Sequence, residues 1–415
     1  MPLRLIVAMF LLLVALIASL RNAKHGLFLL VLSVFINPGS LIWSLDKLHI
    51  PLLLGFSTAI TVVREGKISR KDIPFPIQNY VFFLLMAWLT LSAVSGAFPE
   101  RTYPMLDRWL KLFILFSLIL RVSMEENDIR QMWFLILGAL WFLAMRGVYH
   151  YFVGYSEVGG LPNSTMGDRN DFAMVLSMCF PFAYYFFRTE KGLFKIGFFF
   201  LNILFIGVTI ITYSRMGFLL VCIYLVILFI QSRRKIQYLA MVITAVFIAV
   251  SFVPKSLADR LSTIWKYQED ASAMGRLGAW ETGYRMILAN PITGVGLDSF
   301  EIPEIYSRYA SDNNPHVAHN AYIQIAAEAG IPALILYLLM IVITLFKMWR
   351  LRRESHTEKE RLFCNAILVS LLIYCCGAVF LSAEDREALY ILFASAVTID
   401  ILRRERALAE LRFQE

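Results

Sequence analysis

Apolar runs of 16 to 20 residues recur along this chain, separated for the most part by short polar connections. A helix rises about 1.5 Å per residue, so about 20 apolar residues cross the roughly 30 Å of a bilayer's hydrocarbon. On this pattern the spans are 3–20, 26–44, 48–63, 79–96, 105–122, 129–153, 171–187, 193–213, 215–231, 236–253, 320–347, 361–382 and 386–402. The second and third are short and are interrupted by "NPGS" and "HIP", so one of them is re-entrant or lies on the surface, and the count is 12 or 13. The expected fold is all-α: a polytopic membrane helix bundle with one long loop.

That loop covers 254–319 and divides the chain into an N-terminal transmembrane bundle (1–253), the loop itself, and C-terminal transmembrane helices with a tail (320–415). Within it, "GRLGAWETGYRMILAN" has apolar residues near helical spacing, and "NPITGVGLDSF" ends that helix on Asn-Pro and turns on glycine. One or two amphipathic helices lying over the membrane are expected, not a separately folding domain.

Composition agrees with the pattern: 59% of residues are hydrophobic and 17% charged, which excludes an ordinary soluble domain. Further apolar runs follow the first, which excludes a lone signal peptide. The net charge of +8 invites a nucleic-acid partner, but its distribution argues against one. "RNAK", "REGKISRKD", "RTEKGLFK", "SRRK", "KMWRLRRESHTEKER" and "LRRERALAELR" all fall on one side of the alternating spans. By the positive-inside rule that side is cytoplasmic. The other side receives "FPERTYP", "GYSEVGGLPNSTMGDRND", "SAEDRE" and the long loop. The loop sets six basic residues against eight acidic ones, so any anion held there is held by particular arginines. Cys179, Cys222, Cys364, Cys375 and Cys376 all lie in expected spans and outline no disulfide framework.

Against this background a few polar residues stand out. "HVAHNAYIQIAAEAG", 316–330, places two of the chain's six histidines where the loop meets an apolar helix. His319 and Tyr322, three apart, are expected to share a helical face, with Asn320 beside them. Histidine and tyrosine also mark interfacial belts, so the pair alone does not define a site. His316 and His319 have the spacing of two metal ligands, but a zinc site needs a third and usually a fourth, and no Asp-x-Asp occurs anywhere. No metal and no cofactor are expected. Arg215 opens a span at the face where arginine is scarce, and Arg146 lies about two turns inside its span, where it must face a cavity or an acid. Arg169, in "GDRND", and Arg276, which opens the loop helix, are weaker candidates; each has an ordinary alternative as a helix-end or surface charge.

Taken together, "TYSRMGFLLV", "GRLGAWETGYRMILANPITGVGLDSF" and "HNAYIQIAAEAG" resemble the shared core of bacterial O-antigen ligases, O-antigen polymerases and membrane O-glycosylation ligases. The resemblance covers about 205–335, with the motifs in order: an arginine opening a span, Arg…Trp with "NP-x-x-G-x-G", and "HN-x-Y…E-x-G" at the next span. One departure is "GIPAL", where another glycine is expected, which bears on helix packing more than on chemistry. The resemblance implies a polyprenyl (undecaprenyl) diphosphate-linked glycan as donor and an acceptor hydroxyl, most simply on the lipid A core. It also implies a place in the bacterial inner membrane with the site facing the periplasm, hence a part in lipopolysaccharide biosynthesis. It carries a catalytic role to His319 and diphosphate-binding roles to Arg215 and Arg276; Arg146, Arg169, Asn320 and Tyr322 remain secondary candidates. A polymerase or a protein O-glycosylation ligase would differ in acceptor only. A lipid or polysaccharide transporter is the more distant alternative, though the chain lacks two related halves.

The chemistry such a reaction needs matches these residue types. Histidine, with an unperturbed pKa near 6.5, suits proton removal from a hydroxyl. Arginine forks match phosphate oxygens and stabilise charge growing on a departing diphosphate. The expected mechanism is one inverting displacement, metal-independent, with His319 as base. A covalent route through Glu328 or an aspartate lacks a well-placed carboxylate pair.

Overall fold

The computed structural model describes residues 3–42, 45, 48–66, 76–96, 98–122, 124–155, 158–162, 164–232, 235–236, 271–310 and 315–414. The described residues form helices without strands: α1 (Leu3–Arg21), α2 (Ala23–Ile36), α3 (Pro38–Leu41), α4 (Ile50–Arg64), α5 (Ile77–Ser95), α6 (Pro99–Arg121), α7 (Glu126–Val153), α8 (Arg169–Thr189), α9 (Gly192–Ile211) and α10 (Arg215–Gln231). After the loop's first part come α11 (Ala271–Ala289), α12 (Pro303–Tyr306), α13 (Ala321–Glu354), α14 (Glu358–Gly377) and α15 (Glu387–Gln414). The span expected at 236–253 and the start of the long loop lie outside the described residues, apart from Ile236.

Seven of the described helices, α1, α5, α7, α8, α9, α13 and α14, are long and apolar enough to cross a membrane. The apolar helices α2, α4 and α10 are shorter. At 14 and 15 residues, α2 and α4 reach only about 21–23 Å, less than the hydrocarbon thickness. Asn37 in a left-handed conformation and Pro38 end α2, which is why the expected second span stops early. α6 and α15 carry several charges each and pack against one another.

Burial separates lipid-facing from interior helices. α1 is almost wholly exposed along its apolar length, with Leu3, Phe10 and Leu11 open, and α9 likewise exposes Leu193, Phe194 and Phe200. Such apolar surface is stable only against lipid. α8, by contrast, is surrounded by α9, α10 and α14, and its middle is buried on all sides. Small polar side chains let α1, α2 and α4 approach closely. Ser19 and Ser57 hydroxyls meet at 2.5 Å, Thr61 donates to the Ser19 carbonyl at 2.9 Å, and Gly26 leaves the space that Thr58 and Ser19 fill.

The two ends of the bundle differ in charge. One end carries Lys24–Asp128 (2.6 Å), Arg130–Glu190 (2.6 Å), Arg188–Glu358 (2.9 Å) and Arg406–Glu126 (2.6 Å), together with further arginines at the ends of α4, α6 and α13. The other gathers the start of α6, the end of α7, the starts of α8, α10, α13 and α15, and the described part of the long loop. That loop has a small apolar cluster of its own, Met286, Phe300, Ile302, Ile305 and Tyr306, closed by Ala318 and by Ala327 of α13. Part of that cluster belongs to α13, so the loop is folded against the bundle and not as an independent unit.

Replacing Gly26 by valine should lower the midpoint of thermal unfolding in detergent, a loss of about 1–3 kcal/mol from overpacking. Gly138→Val in α7, where a side chain meets open space, is the control and should leave the midpoint unchanged.

Candidate active site at the loop-bearing end

The start of α13 is locked from several directions. Asn320 caps the helix, its Oδ1 accepting from the Tyr322 and Ile323 amides at 3.0 and 3.1 Å. The Ala321 amide donates to the carbonyls of Ala378 (2.8 Å) and Leu381 (3.1 Å). Ala318 donates to Gln324 Oε1 at 3.2 Å and accepts from Trp280 Nε1 at 2.8 Å. His319 sits between these fixed residues with φ of 47°, left-handed and outside the helix. The expected shared helical face of His319 and Tyr322 therefore does not form. The cap at Asn320 turns the chain one residue earlier, and the Tyr322 hydroxyl instead donates to the Cys375 carbonyl at 3.0 Å, tying α13 to α14.

Charges from α11 and from the start of α8 act on His319, which is half-buried. α11 runs beside 316–319: its Gly275 faces the His316 ring, and Trp280 holds Ala318. Arg276 stands one turn before Trp280 on the same face. Asp168 caps α8, accepting from the Asn170 amide at 2.7 Å, and Arg169 is the first residue of that helix. Asn170 Oδ1 accepts from the Ser214 hydroxyl at 2.7 Å, and Ser214 caps α10 by accepting from Gly217 N at 3.1 Å, so Arg215 is the first residue of a helix tied to the start of α8. Burial pushes the His319 pKa below its ordinary value; the Arg276 charge adds to the shift and Asp168 partly opposes it. The same causes favour the neutral imidazole over the imidazolium.

Arg146 has a different environment. Its Nη1 donates to the Gly160 carbonyl at 2.7 Å, holding the turn that leads to Asp168. The half-buried arginine and the backbone carbonyl satisfy one another there.

The "NP-x-x-G-x-G" and "E-x-G" motifs fit into each other. Val295 N donates to Ala327 O (2.8 Å), Gly296 N to Glu328 O (3.0 Å) and Ile331 N to Pro291 O (2.8 Å). A side chain on Gly294 would strike the backbone of Glu328 and Ala329; one on Gly330 would strike the backbone of Pro291 and Ile292. Gly330 also has φ of 81°, the kink that splits α13. The freed Ala329 carbonyl accepts from Trp88 Nε1 at 2.9 Å. Glu328, which is buried, accepts from Asp298 N (3.0 Å), Phe300 N (3.3 Å) and Gln324 Nε2 (2.6 Å). This carboxylate is occupied in holding the loop.

Sequence reasoning missed a chain of charges beside this site. Asp171 of α8 pairs with Arg386 at 2.6 Å, Arg386 with Asp385 at 3.2 Å, and Asp385 with Arg108 of α6 at 2.7 Å. Arg101 lies 3.7 Å from Asp298. Burial works against the Arg386 charge, but Asp385 and Asp171 more than offset it and its pKa is raised. Burial raises the Asp298 pKa in spite of Arg101. The available signal was the presence of "FPERTYP" and "SAEDRE" at a face otherwise poor in basic residues.

The burial pattern and the apolar helices make this a multi-pass helical membrane protein. Residues 200–338 match the family model described as O-antigen ligase. The matched segment runs from α9 through α10 and the long loop to the kinked first part of α13. No curated protein matches the chain.

Gly330→Ala should destabilise the protein by about 2 kcal/mol or more, since it adds left-handed strain to a backbone collision. Glu328→Ala should cost a comparable amount by orphaning buried amides, and limited proteolysis should show the 290–300 segment opened. An unaltered unfolding midpoint in both variants would refute the interlock.

Proposed function

We propose that this protein is a metal-independent, inverting membrane glycosyltransferase of the O-antigen ligase type. It moves a glycan from a polyprenyl diphosphate to an acceptor hydroxyl, with lipid A core as the favoured acceptor. The observation that carries the reading is His319: half-buried, held by neighbours on both sides, and within the field of Arg276 and Asp168. The O-antigen ligase match supports the reaction class. The basic residues at the opposite end of the bundle support a periplasmic site in a bacterial inner membrane, with the sugar in the loop and the prenyl tail in lipid.

In this mechanism the acceptor oxygen attacks the anomeric carbon as His319 takes its proton. The bond from that carbon to the phosphate oxygen breaks, and the electron pair leaves with the prenyl diphosphate. Arg215 and Arg276 bind the diphosphate, and Arg169 adds charge. The starts of α8, α10 and α13 turn their positive dipole ends to this end of the bundle, which favours an anion there. Arg146 acts at one remove, through the turn it holds; Asn320 and Tyr322 set the position of the histidine through the cap and the tie to α14.

Purified protein, lipid-linked glycan and lipid A core acceptor test the proposal. His319→Ala should lower the rate about 10²–10⁴-fold, and chelator should leave the wild-type rate unchanged. Full activity in the variant would remove the base. Loss in chelator restored by a divalent ion would remove the metal-free claim, and product growing only on the lipid carrier would reassign the protein as a polymerase.

The pH profile gives a separate check. Because the His319 pKa is depressed, the acid limb of kcat/KM should fall below pH 6.5. Arg276→Gln removes a cation that disfavours imidazolium, so the limb should move to higher pH. A limb that stays in place in that variant would refute the electrostatic coupling.

A further inference from the structure

At the basic end of the bundle, about 45 Å of helix path from His319 along α13, lies a cavity of about 500 Å³ between α5, α13 and α15. Its apolar wall is Ile77, Ile343 and Phe346; its outer rim is Arg350, Arg403 and Arg404. Lys347, Asp400 and Glu354 complete the polar part. Lys347 pairs with Asp400 at 2.8 Å, Arg404 with Asp400 at 3.0 Å, and Arg350 with Glu354 at 2.8 Å. Four cations therefore meet two carboxylates, which leaves an excess of positive charge at the mouth.

The rim lies at the depth of a membrane interface. Trp349, 44% exposed, carries the Arg353 guanidinium over its ring at 4.7 Å, and Phe346 beside it is 61% exposed. Exposed aromatics with arginines at the end of an apolar helix occupy the headgroup level. Ile343 lies two turns deeper than Arg350, about 10 Å toward the hydrocarbon. A ligand with an anionic head and an apolar tail matches that polarity along its length. A water-soluble anion would leave the apolar wall uncovered, and a zwitterionic lipid would leave the surplus cations unmatched.

We propose that this cavity binds an anionic glycerophospholipid, its phosphate held by Arg350 and Arg404 and one acyl chain lying along Phe346, Ile343 and Ile77. The site stands apart from the reaction proposed above and does not depend on it.

Native mass spectrometry of the full chain, released from detergent with phosphatidylglycerol, cardiolipin or phosphatidylcholine, tests this. The anionic lipids should be retained in preference to phosphatidylcholine. Arg350→Gln should weaken that preference about fivefold, as should Arg404→Gln, and the double variant should abolish it. Both side chains are well exposed, so the variants should keep the wild-type unfolding midpoint. Arg353→Gln, on the same helix end but outside the cavity, should change nothing. Equal retention of the three lipids, or a preference that survives in the double variant, would overturn the proposal. Displacement of the lipid by millimolar inorganic phosphate would show a free-anion site and overturn it as well.

Discussion

The interlock between 290–300 and 327–331 is the constraint on which the loop-bearing end depends. A kinked helix exposes backbone groups that have no partner in a membrane environment, and those groups are costly unless paired. Here the open positions are taken from two sides: the loop's amides go to the carbonyls of Ala327 and Glu328, the amide after the kink goes to Pro291, and the Ala329 carbonyl accepts from Trp88 of α5. Both glycines at the contact lack a side chain because the partner backbone occupies that space. The loop thereby becomes part of the bundle, and its helix α11 is set down beside the entry to α13.

The geometry around His319 follows from that docking. Trp280 on α11 reaches the Ala318 carbonyl only because α11 is fixed, and Arg276 on the same face is carried to the imidazole with it. From the other side, Ser214 and Asn170 join the starts of α10 and α8, and Asp168 brings a compensating negative charge. The chain of Asp171, Arg386, Asp385 and Arg108 continues the same layer toward α6 and α15. Charge at this end is thus arranged in paired groups across several helices, which is how ionised side chains persist beside a low-dielectric interior.

Much of this was legible in the chain. The apolar runs of 16 to 20 residues identified most of the described helices within a few residues, and "NPITGVG" foretold the turn that ends α11. The resemblance near 205–335 and the O-antigen ligase match at 200–338 cover almost the same segment. Other features were not legible. His319 was expected on a helical face, but capping by Asn320 is decided by one residue's backbone angles, and the run His319-Asn320-Ala321-Tyr322 permits either register. Glu328 lacks the carboxylate partner of a covalent route, but its structural role is visible only when its oxygens are seen to accept two loop amides and Gln324. Arg146 reads as a cavity-wall cation, and only the fold shows the Gly160 carbonyl it serves.

The sequence by itself determined the solvent and the secondary structure. Residues that are 59% hydrophobic in helical runs leave the backbone no choice but to bond internally within a bilayer. It also set the charge asymmetry between the two ends, because that depends only on the order of basic residues along alternating spans. Tertiary structure decided which charges meet. Asp171 and Arg386 are 215 residues apart and Lys347 and Gln78 are 269 apart, and no periodicity encodes such pairings. They arise because helices pack wherever small side chains and satisfied polar groups allow close approach, a property of surfaces in contact that no single helix carries.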